Sequence, residues 1–151
     1  MTALSTLDDS ESRAQIDPKM MRSLIAAIPD HIEDAARAVE NLSLPAAAGK
    51  PATASIVITG LGGSAISGDL ARAVAGNAVK FPLIVNRDYD LPPFVNASTL
   101  VIACSYSGNT EETLSVYGQA KVAGADIVCI TSGGFLAELA GRDSFPAVSL
   151  P

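Results

Sequence analysis

Five short runs of aliphatic and β-branched residues punctuate the chain: SIVIT at 55–59, PLIVN at 82–86, TLVIAC at 99–104, DIVCIT at 126–131 and PAVSL at 146–150. Each is continuous rather than alternating in polarity, the pattern of strands covered on both faces. Helical spacing fills most of the gaps, over 65–76, 110–123 and a shorter 134–141, whereas RDYDLPPFVNAS between the second and third runs reads as loop. Strand alternating with helix predicts an α/β fold, a doubly wound five-stranded parallel sheet of strand order 2-1-3-4-5. In such a sheet a ligand sits beyond the C-terminal strand ends where the order reverses, between the loops after strands 1 and 3.

Upstream the pattern changes. Residues 1–16 are polar and without period, and are expected to be disordered. A helical lead-in is expected over 17–43. Asp17 is placed to cap it and Pro18 to occupy its first position, with Met20, Met21, Leu24, Ile25 and Ile28 at helical spacing. Pro29 should end or bend that helix, and Asp30 could cap a second one carrying Ile32, Ala35, Ala36, Val39 and Leu42. The single histidine, His31, falls in that first turn and reads as a surface or packing residue, with no partner in view. LPAAAGKPATA then marks a boundary at 44–53, leaving 54–151 for the α/β domain.

Composition agrees with aliphatic buried strands: the 151 residues are 48% hydrophobic but only 5% aromatic, with no Trp. The formal charge of −6 argues against nucleic acid or an anionic membrane surface as a partner, since both select basic patches. Cys104 and Cys129 lie in apolar runs without CxxC spacing and read as small core residues, so neither a metal nor a disulfide is expected. No stretch approaches a membrane span, and MTALSTLDDSESR lacks signal-peptide character, so a cytoplasmic location is expected.

The two loops at the predicted switch point are the most unusual in the chain. After strand 1 comes GLGGSAISGD, in which Gly62 and Gly63 permit close backbone approach and Ser64 stands where a helix begins. After strand 3 comes SYSGNT, whose hydroxyls Ser105, Ser107 and Thr110, with the N–H groups around Gly108 and Asn109, could converge on one oxygen cluster. Hydrogen bonds to a charged group contribute roughly 1.5–3 kcal/mol each, and a helix N-terminus adds about 0.3–1 kcal/mol. Four or five such donors would hold a phosphate without any lysine. Each loop alone has an ordinary explanation, helix-on-sheet packing for the glycines and N-capping for Thr110. Both together favour an anion site. Glu111 and Glu112 could serve as bases beside it, although carboxylates are common in a first helical turn. Tyr106 either packs against a helix or lines the pocket.

At these residues the chain resembles the N-terminal half of the bifunctional phosphoglucose/phosphomannose isomerases, within the sugar isomerase (SIS) domain superfamily. The matching stretches are GLGGSAISGDL, NRDYDLP, SYSGNTEETL and ITSGGFLAELA, after a lead-in similar to MRSLIAAIPDHIEDA. The resemblance implies a flavodoxin-like SIS domain over 54–151 that binds a hexose 6-phosphate. Ser105, Ser107 and Thr110 would hold the phosphate, while Gly62, Gly63 and Ser64 would lie near the sugar. It further implies interconversion of glucose 6-phosphate or mannose 6-phosphate with fructose 6-phosphate through a cis-enediol, without cofactor or metal, in a full-length homodimer. The family's base, histidine, lysine and essential arginine have no counterpart up to Pro151. Arg142 lies too early and His31 does not match. Little turnover is therefore expected of this chain alone.

Two other readings compete. GLGGSA fits the loose G-x-G-x-x-A pattern of an NAD(P)-binding Rossmann domain, with Asp88 after the second strand, but that reading leaves SYSGNT without a purpose. A non-enzymatic sugar-phosphate sensor would carry a DNA-reading or kinase segment, and residues 1–53 show no basic recognition helix.

Overall fold

The computed structural model describes residues 9–40 and 53–150. The chain divides into two compact units, Met1–Asn41 and Leu42–Pro151. The connector expected at 44–53 lies, but for its last residue, outside the described residues.

The described residues of the first unit include three helices: α1 (Ser10–Ile16), α2 (Met21–Ala26) and α3 (Ile28–Glu40). The first of these stands in a segment that the sequence pattern marked as disordered. Its residues are polar apart from Ala14 and Ile16, so no apolar stripe announces it. Asp9 starts it by accepting a bond from the Ser12 N–H at 2.9 Å. Asp17 does cap the next helix, but from farther away than expected. The chain makes an extra turn through Met20 at φ 55°, and the Asp17 carboxylate then accepts from the Met21 and Arg22 N–H groups at 2.7 and 2.8 Å. Pro29 does not end a helix; it sits second in α3, where its missing N–H removes no bond. Asp30 accordingly lies inside the first turn rather than at the cap. Ile25, Ile28, Ile32 and Val39 are all exposed.

In the second unit the strands are β1 (Ser55–Thr59), β2 (Leu83–Asn86), β3 (Thr99–Cys104), β4 (Asp126–Thr131) and β5 (Ala147–Ser149). They form one parallel sheet in the order β2-β1-β3-β4-β5. The crossover helices are α4 (Gly63–Ala75), α5 (Glu111–Val122) and α6 (Gly134–Asp143). The α/β, flavodoxin-like arrangement read from the sequence is the observed one.

Strand alternation sends Val57 to one face of the sheet and Ile58 to the other. On the Ile58 face, α4 lies over β1 and β2, brought close by Gly68. A Cβ on that residue would meet Ile58 Cγ2 at 3.1 Å and the Val85 methyls at 3.3 Å. On the Val57 face, α5 and α6 cover a core of Val57, Val101, Ala103, Ile127 and Cys129 with Val116, Tyr117, Leu136 and Leu139. The link from β2 to β3 has no helix. It runs along α5, its Tyr89 carbonyl accepting from Ser115 Oγ (2.9 Å) and Gln119 Nε2 (2.7 Å), while Gln119 Oε1 accepts from the Leu91 N–H at 3.0 Å.

Below this core, Asp143 ties α5 to α6. Its nearly buried carboxylate accepts from Lys121 Nζ (2.7 Å), Tyr117 Oη (2.8 Å) and Arg142 Nε (3.1 Å). A carboxylate at a helix C-terminus opposes the macrodipole, so these donors are what make the position tenable. The Arg142, Lys121 and Tyr117 bonds hold its carboxyl well below the usual carboxylate range. A depressed folded pKa contributes stability that is fully present above the unfolded value and is lost as pH falls toward the folded one. Asp143→Asn should therefore be less stable than the parent at neutral pH and less acid-sensitive between about pH 5 and pH 2. Urea unfolding across that range checks both.

Candidate functional site

Because β1 and β3 are neighbours, with Thr59 opposite Ala103, the chain leaves both strands side by side. Gly60 stands at that exit. A Cβ there would lie 3.0 Å from both the Cys104 carbonyl oxygen and Ser64 Cβ, so a larger residue would push the start of α4 away from the end of β3. Gly62 takes φ 55° to begin α4, and its carbonyl accepts from the Ala65 and Ile66 N–H groups at 3.2 and 3.1 Å. Gly63 and Ser64 form the first turn, which a glycine cap leaves without a side-chain acceptor.

The loop after β3 is built more tightly. Ser105 is buried, and its Oγ lies 2.8 Å from Thr110 Oγ1. Thr110 occupies the N-cap of α5 with the expected extended backbone, yet its hydroxyl makes no capping bond. The ordinary explanation for a threonine at a helix start therefore does not apply. The first-turn N–H groups of α5 have no intrahelical acceptor and no side-chain cap. Ser107 is exposed.

Four successive carbonyls of this loop are turned into the protein. Ser105 O accepts from the Gly108 N–H (3.1 Å), and Tyr106 O from the Ser132 N–H (3.0 Å) and Ser132 Oγ (2.6 Å). Ser107 O accepts from Asn109 Nδ2 (3.1 Å), and Gly108 O from the Leu136 N–H (2.9 Å). With its carbonyls occupied, the loop leaves the exposed Ser107 hydroxyl, the half-buried Thr110 hydroxyl and the helix-start amides as its outward polar groups. Hydroxyls beside unpaired helix-start N–H groups suit a tetrahedral oxyanion. Two N–H groups expected to face an anion do not: those of Gly108 and Asn109 donate within the loop, the latter to Ser107 Oγ at 3.2 Å.

The loop between β4 and α6 backs this arrangement, a role the sequence pattern did not single out. Gly108, at φ +69°, and Gly134, at φ +67°, meet backbone to backbone. A Cβ on Gly108 would fall 1.9 Å from the Gly133 carbonyl oxygen, and one on Gly134 would fall 2.2 Å from that of Ser107. The paired glycines of TSGG were the available signal, but the residues they touch are about 25 positions away in sequence, too far for local pattern to reveal.

The surrounding charges leave the anion to be held locally. Arg87, after β2, is paired with Asp69 of α4. Glu111, in the first turn of α5, accepts from Tyr89 Oη at 3.2 Å, a bond that raises the phenol above its ordinary pKa. Tyr106 is 62% exposed, so it is not a core residue. Cys104 and Cys129 are buried, as expected of small core residues, and their thiols are pushed up by burial to about 11 and about 12. No helix among the described residues is long and apolar enough to cross a membrane.

The family described as SIS domain matches residues 51–140. The chain is 50% identical over 124 residues to a bifunctional phosphoglucose/phosphomannose isomerase of Caldicellulosiruptor bescii, covering 82% of this chain and 36% of that protein. It is 40% identical over 97 residues to a D-glucosamine-6-phosphate 4-epimerase of Sulfolobus acidocaldarius, covering 64% and 30%. The chain thus spans only a minor part of the relatives it matches. Among solved structures, tagatose-6-phosphate ketose/aldose isomerase from Escherichia coli aligns with TM-score 0.54 at 22% identity, over 85% of this chain and 35% of that one.

Proposed function

Since the chain belongs to the SIS domain family, we propose that its second unit binds a hexose 6-phosphate through the loops after β1 and β3. In this reading it is the substrate-phosphate part of an aldose–ketose isomerase that interconverts glucose 6-phosphate or mannose 6-phosphate with fructose 6-phosphate. The observation that carries the reading is the polarity of the β3–α5 loop: its carbonyls from Ser105 to Gly108 all have donors within the protein, while the exposed Ser107 hydroxyl and the uncapped start of α5 remain for a ligand. Ser105, Ser107 and Thr110 hold the phosphate together with the first amides of α5. Gly62, Gly63 and Ser64 face the sugar from the start of α4.

The two relatives support the same division of labour. One is named for phosphoglucose and phosphomannose and the other for glucosamine 6-phosphate, so they share a phosphorylated hexose while differing in reaction. A common phosphate cradle fits that pattern. The proton shift through a cis-enediol also needs a base and a positive group at the developing enediolate. Beside the cradle, Arg87 is paired with Asp69, Glu111 is engaged by Tyr89, and Glu112 has the ordinary first-turn placement of a carboxylate, so we assign the base and the positive group to neither loop. We therefore expect binding by these 151 residues with little or no turnover.

Thermal unfolding separates this reading from its competitors, because a ligand that binds only the folded state raises the midpoint. Fructose 6-phosphate and glucose 6-phosphate should both protect the chain, and free fructose and NAD should not. Protection by NAD without protection by either sugar phosphate would instead favour the dinucleotide reading.

A further inference from the structure

We propose that Asn109 is a positioning residue of the phosphate loop rather than one of its ligands. This inference rests on the sugar-phosphate reading above. Asn109 is exposed, yet both ends of its amide bond to the protein: Oδ1 accepts from the Phe135 N–H at 3.0 Å, and Nδ2 donates to the Ser107 carbonyl at 3.1 Å. The first bond supplies the start of α6 with an acceptor that its own N-cap, Gly133, has no side chain to provide. The second draws in the one carbonyl of the Ser105–Gly108 run that has neither a backbone N–H nor a hydroxyl as partner.

A single side chain thus couples two elements. Without it, the Ser107 carbonyl, which faces Gly134, would lose its Asn109 donor, and the neighbouring Ser107 Oγ would lose a fixed backbone. The Gly108–Gly134 contact and the Leu136 N–H bond to Gly108 O set the same two loops against each other, so Asn109 acts within an existing brace. Aspartate would keep the acceptor and lose the donor, and alanine would lose both. Alanine also adds no charge beside the site, which makes it the cleaner probe.

The test uses the 151-residue chain and its Asn109→Ala variant, with two readouts. Backbone amide exchange is followed by NMR without ligand, and binding of inorganic phosphate and of fructose 6-phosphate is followed by calorimetry. The expected result is faster exchange of the Phe135 amide by about five- to tenfold, the size of one lost hydrogen bond. It should be accompanied by a loss of about tenfold in affinity, equal for the two ligands because Asn109 touches no sugar atom. Weakened binding with unchanged Phe135 exchange would make Asn109 a direct ligand and overturn the proposal. Faster exchange with unchanged affinity would reduce it to a helix cap and overturn it equally. Failure of the unaltered chain to bind either ligand would sink the phosphate reading itself and this inference with it.

Discussion

Replacing Ser107 and Thr110 together by alanine should weaken fructose 6-phosphate binding by about 3–6 kcal/mol, a loss of at least a hundredfold. The size follows from the ligand's charge. A hydroxyl bonded to a phosphate oxygen contributes roughly 1.5–3 kcal/mol, about twice a neutral bond. Thr110 adds a second effect, since its Oγ1 lies 2.8 Å from Ser105 Oγ and orients that buried hydroxyl. Folding should be weakened by about 1–3 kcal/mol, because the buried Ser105 hydroxyl loses its Thr110 partner, but not abolished, since Ser107 is exposed and Thr110 makes no capping bond whose loss would fray α5. Calorimetry of the double variant, beside a melting curve showing that it is folded, checks both halves. Unchanged affinity would remove these residues from the site.

Gly108→Ala should have the largest effect on stability, about 3 kcal/mol or more. The new methyl would sit 1.9 Å from the Gly133 carbonyl oxygen and 2.8 Å from its carbon, both backbone atoms with no rotamer to change. The positive φ adds about 1 kcal/mol of strain for any residue with a Cβ. The two loops would have to part, breaking the Leu136 bond to Gly108 O and pulling on the Asn109 brace. Gly118→Ala is the matched control. It lies in α5 with nothing within 4 Å of a new Cβ, so it should be neutral or stabilise by up to about 1 kcal/mol. Equal melting points for the two variants would refute the interlocked-glycine description.

What the sequence disclosed and what it hid follow one rule. The strands at 55–59, 99–104 and 126–131 match their β-branched runs to the residue, because burial on both faces keeps the interior of each run continuously apolar. The helix read over 110–123 is observed at Glu111–Val122. By contrast, α1 has no apolar face to betray it, and α2 starts late because Met20 adopts a left-handed conformation that nothing in its side chain foretells. The hydroxyl cluster was legible as a local concentration of Ser and Thr. The amide of Asn109 was not, since its partner Phe135 is 26 positions away and a Gly-Asn pair reads equally well as any turn. Local chemistry shows in the sequence; the brace between distant loops needs the fold.

The central claim is that the Ser105–Thr110 loop is a phosphate cradle. Calorimetric titration of the chain with fructose 6-phosphate, with free fructose as control, tests it most directly. Saturable binding of the phosphorylated sugar, competed by inorganic phosphate and absent for the free sugar, is the predicted result. Binding of fructose with equal affinity, or of neither, would contradict it.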